Sequence, residues 1–83
     1  MAVRFTQHAR DKFEMLARHK FAVTEAQVIA ALESPDKVET DLSPHVAQKG
    51  FDQDHVLHVV FRTEGEDKIV ITFYPGRRKR YEN

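Results

Sequence analysis

The chain contains no cysteine and no tryptophan. Without thiols, neither a disulfide nor a thiolate metal site is available to staple the fold, and their absence fits a reducing compartment. Glycine and proline are scarce, three of each. No glycine-rich phosphate loop, internal repeat, low-complexity segment or domain linker is visible. No apolar run approaches the length of a membrane span. Arg4, His8 and Arg10 interrupt the region where a signal peptide needs its apolar core. These absences predict a cytoplasmic protein that does not engage a membrane. The five histidines are scattered, with no HExxH or similar spacing, and no Ser-His-Asp pattern stands out. Neither a metal nor another cofactor is expected.

What remains is enough for one small domain covering residues 1–83. At 41% hydrophobic and 31% charged, the composition is that of a globular chain. Six phenylalanines supply much of the volume a small core needs. Net charge is zero, yet the charges are segregated: residues 1–20 balance to +3, residues 21–67 to −7 and residues 68–83 to +4. If the two basic ends meet in space, they form a basic face on a neutral protein; if they do not, each end simply solvates itself.

The stretch with the strongest character is Lys68 to Tyr81. Its β-branched and aromatic first half, Ile69 to Tyr74, reads as a strand. Pro75-Gly76 is expected to break that strand and open a basic C-terminal arm, residues 75–83. Arg77, Arg78, Lys79 and Arg80 follow in succession, closed by Tyr81. A buried strand ending in a tethered cationic arm suits a surface that meets phosphate. A solvated chain end accounts for the same composition.

Ahead of this stretch, Val3 to Phe5 reads as a short strand, and Thr6 is placed to cap a helix. Ala9, Phe13, Leu16 and Ala17 make one apolar stripe on that helix, with Arg10, Glu14 and Arg18 spaced for pairing opposite. Thr24 and Gln27 form a capping box for a second helix, which Ser34-Pro35 ends. The short segment between the helices predicts a helical hairpin. Strands are then expected at 37–41, 46–51, 55–62 and 69–74, with Gly50 marking a bulge. Alternation puts Leu57, Val59 and Phe61 on one sheet face, with Ile69, Ile71 and Phe73 expected beside them. The other face carries His58, Arg62, Thr72 and Tyr74. The expected fold class is α+β: a strand, a two-helix hairpin, then an antiparallel β-meander with the helices on one face.

This order, together with Leu57-His58-Val59-Val60-Phe61, Val70-Ile71-Thr72-Phe73 and the terminal Arg77-x-x-x-Tyr81, resembles the RelE/ParE superfamily of small bacterial toxins. The opening Phe5-Thr6-x-His8-Ala9 and Val23-Thr24-x-x-Gln27-Val28 look closer to a small branch near BrnT-type toxins. The resemblance covers nearly the whole chain through short motifs. It implies a RelE-like fold and a metal-free endoribonuclease acting on messenger RNA, often on the ribosome, and restrained by an antitoxin protein. It also implies roles for Arg77 and Tyr81, which match the terminal pattern, and for His58, which stands where many members carry arginine. Phe61 stands where many carry tyrosine. ParE-like members act on DNA gyrase instead, so the fold alone does not choose the target.

The residue chemistry fits such a reaction. Metal-free RNA cleavage needs a base for the 2′-hydroxyl, charge stabilisation at phosphoryl oxygens and an acid for the leaving oxygen. Arginine grips phosphate with two prongs and stays charged. Histidine changes charge near neutral pH, which nominates His58 and His8; Tyr81 is suited to stacking on a base. The candidate catalytic residues are thus Arg77, Tyr81 and His58, and the candidate RNA contacts His8, Arg62, Arg78, Lys79 and Arg80. His55 and His58 point opposite ways on an ideal strand and make a poor metal pair. Two other readings stay open: a non-catalytic protein-binding module, and a nucleic-acid-binding regulator without chemistry.

Overall fold

Two threonines set where the helices begin. The structure, a computed structural model, describes residues 2–41 and 43–78. Thr6 lies in extended backbone before α1 (Gln7–Arg18), and its hydroxyl accepts the Ala9 N–H at 3.1 Å. Thr24 does the same for α2 (Glu25–Glu33), accepting the Gln27 N–H at 3.1 Å while the Gln27 side chain accepts the Thr24 N–H at 2.9 Å. The capping box read from the sequence is therefore formed. At the other end of α1, the Lys20 N–H donates to the Ala17 carbonyl and the Phe21 N–H to the Leu16 carbonyl at 2.8 Å. Lys20 adopts left-handed backbone there, at φ 65°. This is a Schellman reversal with lysine where glycine is usual.

Strands β1 (Val3–Phe5), β2 (Lys37–Glu39), β3 (His45–Gly50), β4 (His55–Glu64) and β5 (Asp67–Arg77) form one sheet in the order β1-β5-β4-β3-β2. The antiparallel meander is present from β2 to β5. The sheet as a whole is mixed, because β1 runs parallel to β5, with Val3 opposite Lys68 and Phe5 opposite Val70. The last meander strand leaves an unpaired edge, and β1 fills it in the direction that lets α1 run on over β5, from Ile71 toward the end where His55 faces Arg77. The expected helical hairpin is not formed. α1 lies on β5 and β1, α2 on β4 and β3, and the helices have little contact with each other. Both apolar stripes are spent on the sheet, which offers a wider apolar face than a neighbouring helix does.

Three local expectations are corrected. First, Ile71 is skipped in the register, since Val60 faces Thr72 while Phe61 faces Val70. This bulge reverses the alternation. Val70 and Phe73, not Ile69, Ile71 and Phe73, join Leu57, Val59 and Phe61 in the core. Second, Gly50 pairs regularly with Val56 and marks no bulge. Third, Pro75-Gly76 does not end β5, because Pro75 faces Leu57 and Arg77 faces His55. β1 covers β5 only at 68–70, so beyond that point β5 is an edge strand, where proline is tolerated. The β4–β5 connection is a tight turn that begins with Gly65 at φ 61°.

Ala9, Val28, Ala31 and Leu32 from the helices meet Ala47, Leu57, Val59, Phe61, Val70 and Phe73 from the sheet, all buried. Thr6 couples the two layers. Its N–H donates to the Val70 carbonyl at 3.0 Å, and its hydroxyl donates to the Ile71 carbonyl at 3.0 Å, the acceptor displaced by the bulge. One hydroxyl therefore caps α1 and closes the bulge. Thr6→Val should cost about 1–2 kcal/mol, and Thr6→Ser almost nothing. Equal denaturant midpoints for the two variants would show that the hydroxyl is not what matters.

Candidate nucleic-acid interface

The cationic run begins where β5 ends, beside the β3–β4 turn. Asp52 shapes that turn: its Oδ1 accepts the Asp54 N–H at 2.8 Å, an aspartate bonding its own backbone two residues on. The same Oδ1 lies 2.9 Å from His55 Nδ1. The hydrogen bond from His55 is the main reason that the Asp52 carboxyl is held below the ordinary carboxylate range. Arg78 is tied to the turn twice. Its backbone N–H donates to the Asp54 carbonyl at 2.9 Å, and its Nε donates to the Asp52 carbonyl at 3.0 Å. The guanidinium crosses Gly50 so closely that a Cβ there would sit 2.9 Å from Nη2. Gln53, Asp54, His55, Arg77 and Arg78 line a cleft of about 480 Å³. Phe21, delivered by the reversal after α1, meets the His55 ring edge-on, with centroids 4.9 Å apart and planes at 80°.

The other described candidates, His8, His58 and Arg62, lie away from this cleft. Lys79, Arg80 and Tyr81 lie outside the described residues. His58 is on the sheet face away from the helices and is buried, 2% exposed. Its Nδ1–H donates to the Val56 carbonyl at 3.0 Å, and its ring stacks on Tyr74 with centroids 4.8 Å apart and planes 5° from parallel. Burial lowers its pKa below 6.5, more than the Val56 carbonyl raises it. His58 and Arg77 do not share the cleft: Arg77 pairs with His55, and His58 with Tyr74 further along the strands. His8 is exposed on α1, in a groove of about 350 Å³ shared with Asp11, Lys12, Glu14, Met15 and Arg18. The sheet separates it from His58.

Arg62 lies seven residues along β4 from His55, roughly 23 Å at the usual strand rise. It pairs with Glu64, which also takes Arg4 at 3.3 Å, and Arg4 reaches Asp67 at 3.7 Å. The bond from Arg62 is the first cause of the lowered Glu64 pKa. Among the described residues, Arg4 therefore does not join Arg77 and Arg78, although the segment after α1 reaches their cleft through Phe21. β1 reaches only the start of β5, where acids of the middle segment neutralise Arg4, whereas Arg77 and Arg78 stand at the far end.

The sequence reading missed Asp52, Asp54, His55 and Phe21 as members of one site. The available signal was the Asp52-x-Asp54-His55 turn, whose first aspartate suits a turn cap. The contact with Phe21 had no local signal, because the α1 reversal creates it. Comparison of the chain with protein-family models, with curated proteins and with solved structures found no match in any of the three.

Proposed function

We propose that this protein is an RNA-directed, metal-free endoribonuclease of the toxin type, with a RelE-like arrangement near the BrnT-like branch, acting on messenger RNA at the ribosome and held in check by an antitoxin. The observation that carries this reading is the placement of Arg77 and Arg78 on one cleft at the end of β5. Arginine pairs there are suited to a phosphodiester, since each guanidinium offers a fork of donors and cannot lose its charge. Lys79, Arg80 and Tyr81 continue the same run in sequence, adding general attraction and a stacking group.

The burial of His58 under Tyr74 favours a second reading. A residue whose charged form is penalised and whose ring is covered makes a poor acid–base catalyst, so the same surface would serve as an RNA- or protein-binding module without chemistry.

Binding and cleavage separate the two. RNA affinity should fall as salt rises, and Arg77→Ala with Arg78→Ala should lower the log–log salt slope by about one for each phosphate no longer gripped. Cleavage is read in a translating extract. Affinity indifferent to both salt and the paired substitution would remove the RNA reading. Salt-sensitive binding without cleavage would leave the binding module.

A further inference from the structure

The geometry points to His55 as the general base of the proposed cleavage, with Asp52 as its positioning residue; this rests on the ribonuclease reading above. The Asp52 carboxylate can only accept in the 2.9 Å contact with His55 Nδ1, so Nδ1 carries the proton. The neutral ring then keeps the lone pair on Nε2 as its only acceptor, the arrangement a base requires. The ring is fixed from two further directions. Asp52 is itself locked by the Asp54 N–H, and Phe21 presses edge-on against the imidazole. Phe21 arrives there because Lys20 adopts a left-handed backbone that lysine seldom takes. Such strain persists where the surroundings over-determine it, often at a site.

The charges that face His55 are Asp52 and Asp54 from its own turn and Arg77 and Arg78 from β5, while the segment after α1 presents the apolar Phe21. Arg77 and Arg78 therefore line the same cleft as the imidazole, which gives a phosphate there cationic side chains to meet. His58 supplies none of this: it is buried on the opposite sheet face. In the reaction, His55 Nε2 takes the proton of the 2′-hydroxyl as that oxygen bonds to the adjacent phosphorus. The bond from phosphorus to the 5′-oxygen breaks, its electron pair leaves with the oxygen, and the oxygen takes a proton from water. The imidazolium returns its proton to the hydroxide so formed. The products are a 2′,3′-cyclic phosphate and a 5′-hydroxyl end.

The test uses the whole protein with a mixed-sequence RNA oligonucleotide, and with messenger RNA in a translating extract. His55→Gln should slow cleavage about 100- to 10,000-fold, the usual scale of one general base, with RNA affinity within about twofold of wild type. Asp52→Asn keeps an acceptor for the Asp54 N–H and should lower kcat while leaving KM unchanged. His55→Ala should regain cleavage when free imidazole is added, a rescue that a merely structural histidine would not show. Wild-type products should carry 5′-hydroxyl ends, and RNA lacking the scissile 2′-hydroxyl should bind uncut. If wild type cleaves and His55→Gln cleaves equally fast, or imidazole rescues nothing, the assignment of the base is overturned and the ribonuclease reading stands. If wild type binds RNA and cleaves in neither setting, the ribonuclease reading falls and the assignment falls with it.

Discussion

Phe73→Ala should remove about 3–5 kcal/mol of folding free energy, the usual cost of deleting a fully buried phenyl ring. Phe73 is wholly inaccessible. Its ring packs on Phe13 of α1 at 4.6 Å between centroids, and Phe13 in turn meets Phe5 of β1 at 5.7 Å. One side chain on β5 therefore holds the first helix onto the sheet. A small domain of 83 residues has a total stability of roughly 4–12 kcal/mol, so this substitution consumes a large share of it. With a denaturation slope of about 1–1.5 kcal/mol/M, the urea midpoint should fall by roughly 2–5 M. Phe5→Ala, at the half-buried end of the same ring chain, should cost clearly less. Similar losses for the two would mean that the core is not centred on Phe73.

His58→Arg should destabilise the fold by about 2–4 kcal/mol, because a larger, permanently charged side chain must enter a closed site. The resemblance to RelE-type toxins leads to the opposite expectation, an arginine at this place that keeps or raises activity. The cost in stability follows from the burial of His58, which is 2% exposed and stacked on Tyr74. The same burial sets a pH dependence. Its folded pKa lies below the 6.5 of an exposed histidine, desolvation being the cause. Between those two values the unfolded chain binds more protons than the folded one, so stability rises with pH. The contribution is complete above about pH 6.5 and is lost as pH falls toward the folded value. The melting temperature should therefore drop between pH 7.5 and pH 5.5 more in the wild type than in His58→Phe, which keeps a ring against Tyr74 and cannot titrate. Parallel curves would show that His58 is not held neutral. Asp52 and Glu64, whose pKa values are lowered chiefly by bonds from His55 and Arg62, have the usual sign for acids. What they add is present above the ordinary carboxylate range and is lost only as pH falls through their folded values, below this window.

Local chemistry made part of this protein legible in one dimension. Thr6 and Thr24 announce helix starts because a short hydroxyl side chain satisfies N–H groups only a few residues away. Ser34-Pro35 announces a stop by sterics between adjacent residues. The period of two in Leu57, Val59 and Phe61 names the buried face of β4, since successive strand residues alternate sides. Each of these signals acts over fewer than about five residues, and each survives in the fold.

What only the tertiary structure decided depends on partners distant in sequence. The bulge at Ile71 becomes visible only when β5 is laid against β4, and it then exchanges Ile69 and Ile71 for Val70 in the core. The two helices look like a hairpin in sequence because the connection is short, yet each gains more by burying its stripe on the sheet. Charge segregation left open whether the two basic ends meet in one face. The parallel entry of β1 places Arg4 beside Glu64 and Asp67, at the opposite end of β5 from Arg77 and Arg78. The candidate cleft has the same origin. The sequence by itself determined that a cationic run follows an apolar strand, since composition and period are local properties. The fold alone decided that Arg77 and Arg78 of this run meet the Asp52–His55 pair with Phe21 behind it, because Phe21, Asp52 and Arg78 lie on three separate segments whose meeting is set by packing on a common sheet.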